Sequence, residues 1–132
     1  MVAALRSRHG DRPAFSVRDE FDLEDLTRSV LPLFFDTIRP ESRTPRYASA
    51  TRTDLLLPDE RLAIVLKWIG SAQAAALADQ WAEDLLYYEQ RGYGAVLGLV
   101  ADPGASLPDA GVLEHAWSRT EGHVRLNVII LQ

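Results

Sequence analysis

The stretch Thr51 to Trp68, reading TRTDLLLPDERLAIVLKW, constrains this chain more than any other. Two apolar runs, Thr51 to Leu57 and Leu62 to Trp68, flank the polar turn Pro58, Asp59, Glu60 and Arg61. Strand-like runs around so short a turn predict an antiparallel hairpin. If Leu57 pairs with Leu62, opposite residues sum to a constant, so Asp54 faces Val65 and Arg52 faces Lys67. Directly opposite side chains share a face, with Cβ atoms roughly 5 Å apart, and Lys67 then lies diagonal to Asp54. A carboxylate and an ammonium are expected on one side of an otherwise apolar ribbon, with Val65 between them.

An acid on one strand followed by acid-x-Lys on the next is the skeleton of a site in which two carboxylates hold Mg²⁺ and the lysine steers a water. Here TRTDLLL and IVLK supply Asp54 and Lys67, and the second acid is missing. The segment resembles the PD-(D/E)XK nuclease superfamily and, within it, the DpnII/MboI-like restriction endonucleases, whose pattern reads like SR-x-DFLL followed by IEVK. Val65 stands where that pattern has glutamate. DEFDLEDL at Asp19 to Leu26, IRPE at Ile38 to Glu41 and TPRYAS at Thr44 to Ser49 are similar to the same branch. Gln80, Asp84 and Tyr88 keep its helix spacing, and VADP at Val100 to Pro103 resembles its VYDP. The likeness runs from about the start of the chain to its end.

The resemblance implies an α+β (α/β) fold with a restriction-endonuclease-like core, αβββαβ, in which a central mixed sheet is flanked by helices. It implies catalytic positions at Asp54, Lys67, Gln80 and Val65, the last being the position of the missing Glu. A metal site would use Asp54 with Glu20 or Asp22 from the first helix, and Arg43, Arg46 and Arg52 would contact DNA phosphates. The bland alternatives stand beside these roles. Glu20 and Asp22 also suit the positive end of a helix, and the three arginines also read as solvated loop charges.

Composition narrows the rest. A chain of 132 residues is expected to form a single domain over 1–132, PD-(D/E)XK nuclease-like by the resemblance. It has no cysteine, which excludes disulfides and thiolate metal sites. No apolar run approaches the ~20 residues of a membrane span, and MVAALRSRHG lacks a signal peptide's apolar core, so no membrane association and a cytoplasmic location are expected. The net charge of −5 argues against gripping nucleic acid by bulk electrostatics, though a local basic groove is compatible with it. Thirteen of the fourteen basic residues are arginine, so Lys67 is the only lysine.

Along the chain, Val2 to Arg8 reads as a short helix or coil, and Asp22 to Phe35 as an amphipathic helix that Pro32 kinks or ends. Thr37 to Arg39 could begin a first strand, with Pro40 and Pro45 marking a bent approach to the hairpin. Ser71 caps a long helix, Ala72 to Gln90, stopped by Gly92. Its stripe of Ala74, Leu77, Ala78, Trp81, Leu85 and Tyr88 faces the core. Ala95 to Ala101 reads as a buried strand, a short helix lies around Leu113 to Trp117, and Val124 to Leu131 alternates as a last strand. His9, His115 and His123 are scattered without ligand spacing.

Valine cannot ligate a hard ion such as Mg²⁺. Two functions follow from different classes. One is a nuclease-like domain with a degenerate metal site, hydrolytically impaired, that binds DNA or a protein partner and needs no cofactor. The other is an active Mg²⁺-dependent DNA endonuclease whose missing acid is supplied from a helix, with Glu83 or Asp84 as donor. Trp68, Ile69 and Ala101 replace polar residues of the pattern near the expected cleft, and Asp54 and Lys67 are expected to pair with each other. Trp68, Ile69 and Val128 to Leu131 near the sheet edges also suggest a homodimer.

Overall fold

The computed structural model describes residues 9–69 and 74–132. The Val2 to Arg8 piece and the Ser71 cap expected from the sequence lie outside the described residues.

The hairpin is present as β2 (Arg52–Leu57) and β3 (Leu62–Trp68), with Leu57 paired to Leu62, Leu56 to Ala63 and Leu55 to Ile64. Its turn closes through the Arg61 N–H, which donates to the Pro58 carbonyl at 3.1 Å while Arg61 adopts φ 53°. The β2–β3 ladder ends at Leu55 and Ile64. Beyond that point Asp54 pairs with Glu41 on β1 (Arg39–Arg43), and β3 continues against β4 (Ala95–Ala101). Strand β1 is longer than its poor alternation suggests. Pro40 is tolerated because β1 is the sheet edge, where a missing N–H costs no ladder bond.

Six strands form one mixed sheet in the order β1-β2-β3-β4-β6-β5, with β6 spanning Val124–Leu131 and the short β5 spanning Arg119–Glu121. β3, β4 and β6 run parallel, and the other neighbours are antiparallel. The expected α+β architecture with a central mixed sheet and helices against it is therefore observed. β5 was not foreseen, being three residues of weak pattern that owe their extended form to pairing with β6.

Helix α1 (Glu20–Val30) starts two residues earlier than its apolar repeat suggests. The Asp19 carboxylate accepts from the Phe21 and Asp22 N–H groups and so caps it. Pro32 falls in a 3₁₀ turn, Leu31–Leu33, that ends this segment. Helix α2 (Ala74–Gln90) stops where Gly92 takes φ 78° and the Tyr93 N–H returns to the Tyr88 carbonyl. Helix α3 covers Ala110–Trp117.

Strand alternation divides the core. Helix α1 packs over Leu55, Leu57, Ile64 and Leu66 on one face. On the other face, α2 lays Leu77, Trp81, Leu85 and Tyr88 over Leu56, Ala63, Val65, Val96 and Val128. Gly98, paired to Val65, is required there, because a Cβ would lie 2.5 Å from the Trp81 ring.

Two expectations about apolar residues are corrected by this layout. Trp68 and Ala101 belong to the α1-side cluster, on the opposite face from Asp54, while Ile69 is buried on the α2 side. The residues expected to drive dimerisation are mostly covered within the chain, since β3 is interior and Val128 and Ile130 point into the core. Ile129 is exposed.

Candidate active site

Asp54 and Lys67 both point to the α2 face, and both are buried, at 2% and 4% exposure. They do not pair. Each has taken another partner, and two residues that the hairpin alone does not contain hold the cluster together. Arg43, at the end of β1, donates from Nε to Asp54 Oδ2 at 2.6 Å and from a terminal nitrogen to Asp84 Oδ1 at 2.5 Å. Asp84, on α2 and fully buried, places its Oδ2 2.8 Å from Lys67 Nζ. At that distance the Lys67 ammonium and the Asp84 carboxylate form a buried ion pair.

Two tyrosines and a glutamine complete the shell. Tyr88 donates its hydroxyl to Asp54 Oδ2, and Tyr47 donates to Asp84 Oδ1 at 2.6 Å. Lys67 donates to the Tyr47 oxygen at 2.9 Å and to Gln80 Oε1 at 3.2 Å. The Lys67 ammonium also lies over the Tyr47 and Trp81 rings, 4.4 and 4.6 Å from their centroids. The α2 spacing explains the helix side of this shell. Gln80, Asp84 and Tyr88 are successive i, i+4 positions, so one stripe carries all three to the sheet.

Two carboxylates and two cations thus balance in the buried interior, which is the condition for burying such charges at tolerable cost. Burial pushes the Asp54 carboxyl above its ordinary 3.8, against the pull of Arg43 and the Tyr88 hydroxyl. Burial likewise pushes Lys67 down, opposed by Asp84. For Arg43 burial also works against the charge, but Asp54 and Asp84 outweigh it and the guanidinium is held more firmly protonated than usual. Burial, reinforced by the neighbouring carboxylates, raises the Tyr47 and Tyr88 hydroxyls, keeping both as donors.

The remaining sequence candidates fall in two groups. Gln80 lies on the Lys67 side of the sheet and accepts from its ammonium. Glu20 does not reach Asp54. It pairs with Arg52 at 2.6 Å on α1, whose apolar side packs on the other face, while Asp22 accepts from the Arg18 N–H. Arg46 is exposed, with its backbone N–H on Glu83 Oε1 at 2.8 Å. Arg43, expected on phosphates, is 8% exposed and committed to the two carboxylates. That assignment assumed that loop arginines face water, and β1 turns this one inward. Tyr47 and Tyr88 belong to the family pattern without a role that the sequence assigns. Nothing local in the sequence marks a tyrosine as donor to a carboxylate 34 or 37 positions away.

The cluster does not fit a divalent metal as it stands. Among the described residues no three His, Cys, Asp or Glu side chains converge as a metal site. Where Asp54 and Asp84 come together, the Arg43 guanidinium already lies between them. Val65 beside them is buried under α2, and its side chain offers no oxygen.

A mixed sheet with the acid-bearing hairpin in its middle, and an acid, a lysine and a helix glutamine on one face, defines a restriction-endonuclease-like domain. The model of the DpnII-MboI restriction endonuclease family (REase_DpnII-MboI) matches residues 1–132, and the chain belongs to that family. No curated protein and no solved structure matches it. Among the described residues no helix is long and apolar enough to cross a membrane.

Proposed function

We propose that this nuclease-like domain is hydrolytically impaired and works by binding, with DNA as the ligand that its family favours and a protein partner as the alternative. The observation that carries the reading is the Arg43 guanidinium bridging Asp54 and Asp84. A fixed internal cation satisfies the two carboxylates that would otherwise repel one another and recruit a divalent ion. With valine at 65 there is no further acid to compete for that position. Arg46, exposed beside the cluster, and Arg52, half-exposed in its pair with Glu20, supply the DNA phosphate contacts in this reading. No Mg²⁺ is required for binding of this kind.

Calorimetric titration with Mg²⁺ and Mn²⁺, run beside plasmid cleavage, tests the proposal. The expected result is no saturable metal binding and no nicking above the buffer control. Metal binding together with cleavage by the wild-type chain would reject it.

One observation favours a second reading, an active Mg²⁺-dependent endonuclease. Helix α2 does deliver an acid, Asp84, to the Asp54 and Lys67 side of the sheet. If Arg43 left, Asp54 and Asp84 would face one another with no cation between them, Lys67 remaining paired to Asp84 alone. Cleavage abolished by Asp84→Asn would select this reading over the first.

A further inference from the structure

A site that acts on a polymer must be reachable, and this one is closed. Asp54, Lys67, Asp84 and Arg43 are all below 9% exposed. The sheet forms the floor and α2 one wall. The connection between β1 and β2, residues 44–51, supplies the cover through Tyr47, whose ring lies against the Lys67 ammonium.

The cover is fastened differently from the rest of the molecule. Pro45 is buried and Tyr47 half-buried, while Thr44, Arg46, Ser49, Ala50 and Thr51 are exposed. No residue of 44–51 belongs to either apolar core cluster. Its ties to α2 are polar: the Arg46 N–H on Glu83 and the Tyr47 hydroxyl on Asp84. At its mouth the Thr44 and Thr51 hydroxyls meet at 3.2 Å, just past the last β1–β2 pair, Arg43 with Arg52. Segments with few buried apolar contacts open locally, at a smaller free-energy cost than unfolding the core.

We propose that residues 44–51 are an autoinhibitory strap that opens as a unit and exposes Lys67 with the carboxylates behind it, while the sheet and α2 stay folded. The inference concerns regulation of the cluster described above. It holds whether the exposed site then binds or cuts, so its test reads neither metal nor cleavage.

The sequence provides the probe. Lys67 is the only lysine in the chain, so its acetylation by acetic anhydride, followed by mass spectrometry of the Lys67 peptide, reports opening at one position. The labelling rate is measured against urea concentration and compared with global unfolding followed by tryptophan fluorescence. Opening of the strap predicts a labelling rate nearly independent of urea well below the unfolding transition. Glu83→Ala, which removes the acceptor for the Arg46 N–H without touching Lys67, is expected to raise that rate about tenfold at unchanged unfolding midpoint. Tyr47→Ala is expected to raise it further. Labelling that follows the urea dependence of global unfolding in the wild type and in Glu83→Ala would overturn the proposal. Equal rates for the wild type and both variants below the transition would overturn it too.

Discussion

Two buried carboxylate centres in this domain are built in opposite ways. Asp102, just past the end of β4, is fully buried, and its acceptors are filled mainly from the loop that follows it, with one donor from Gln132 after β6. The Ser106 N–H and hydroxyl, the Leu107 N–H and the Gln132 amide all donate to it within 2.8 to 3.0 Å. Burial alone would raise its pKa, but the bonds from Leu107, Gln132 and Ser106 outweigh that and hold it at about 2, against 3.8. Asp54 has no backbone turn around it. It relies on Arg43 and Tyr88, 11 residues upstream and 34 downstream, and burial pushes its carboxyl upward. A loop that supplies N–H donors stabilises the ionised acid and fixes a turn. A set of charges gathered from four elements stabilises itself only while all members are present.

The largest expected effect breaks the second centre at its cation. Arg43→Met leaves two buried carboxylates facing each other, and urea unfolding at neutral pH should show a loss of about 3–5 kcal/mol. Acidification should narrow that loss, because protonated carboxyls no longer need the guanidinium. A stability equal to wild type would mean that the cluster is not held by charge.

Val65→Glu adds an acid beside Asp54 and under Trp81. A loss on the order of 3 kcal/mol is expected, and Mn²⁺ should restore part of it in a thermal melt only when Arg43→Ala is combined with it. Plasmid cleavage should stay absent until Arg43→Ala is combined with it, since the guanidinium otherwise keeps the cation position. Cleavage by Val65→Glu alone would show that Arg43 yields to metal.

Gly98→Ala tests the wall that both cluster and core share. The new methyl would meet the Trp81 ring, so about 2 kcal/mol of stability should be lost by overpacking. The pH dependence contributed by Asp102 should be unchanged.

The smallest expected effect is at Asp102 itself. Asp102→Asn keeps an acceptor and loses the charge, costing about 1–2 kcal/mol at neutral pH in urea unfolding. The folded-state pKa of Asp102 is depressed, so its contribution is complete above 3.8 and disappears as pH falls through about 2. Wild type and variant should therefore converge in that window. Asp54, shifted upward, has the opposite slope: its ionisation in the folded state detracts from stability as pH rises above 3.8.

The local parts of this fold were legible because they depend on neighbours in the chain. The hairpin register followed from Leu57 and Leu62 around one turn as far as Leu55 and Ile64, beyond which the expected Asp54–Val65 and Arg52–Lys67 pairs are not part of the ladder, and the α2 stripe followed from i, i+4 spacing. The face shared by Asp54, Val65 and Lys67 followed from strand alternation. The resemblance placed Gln80 and Asp84 on the side of the site without saying what they would touch.

Other features were hidden for a physical reason. An arginine at the end of a proline-bearing edge strand carries the same local signal whether it faces water or the interior. Only packing of α2 against β1 and β2 brought Asp84 and Asp54 to either side of Arg43 and drew it inward. The same packing seated Tyr47 over Lys67, and nothing near Thr44 to Ser49 in the sequence marks a cover. The sequence alone determined the elements, the register of the hairpin, and the absence of an acid at position 65. The tertiary structure decided that the two charges of the hairpin would not meet, because each found a partner from a distant element. Mutual neutralisation in a buried cluster outweighs the pairing that short-range geometry offers.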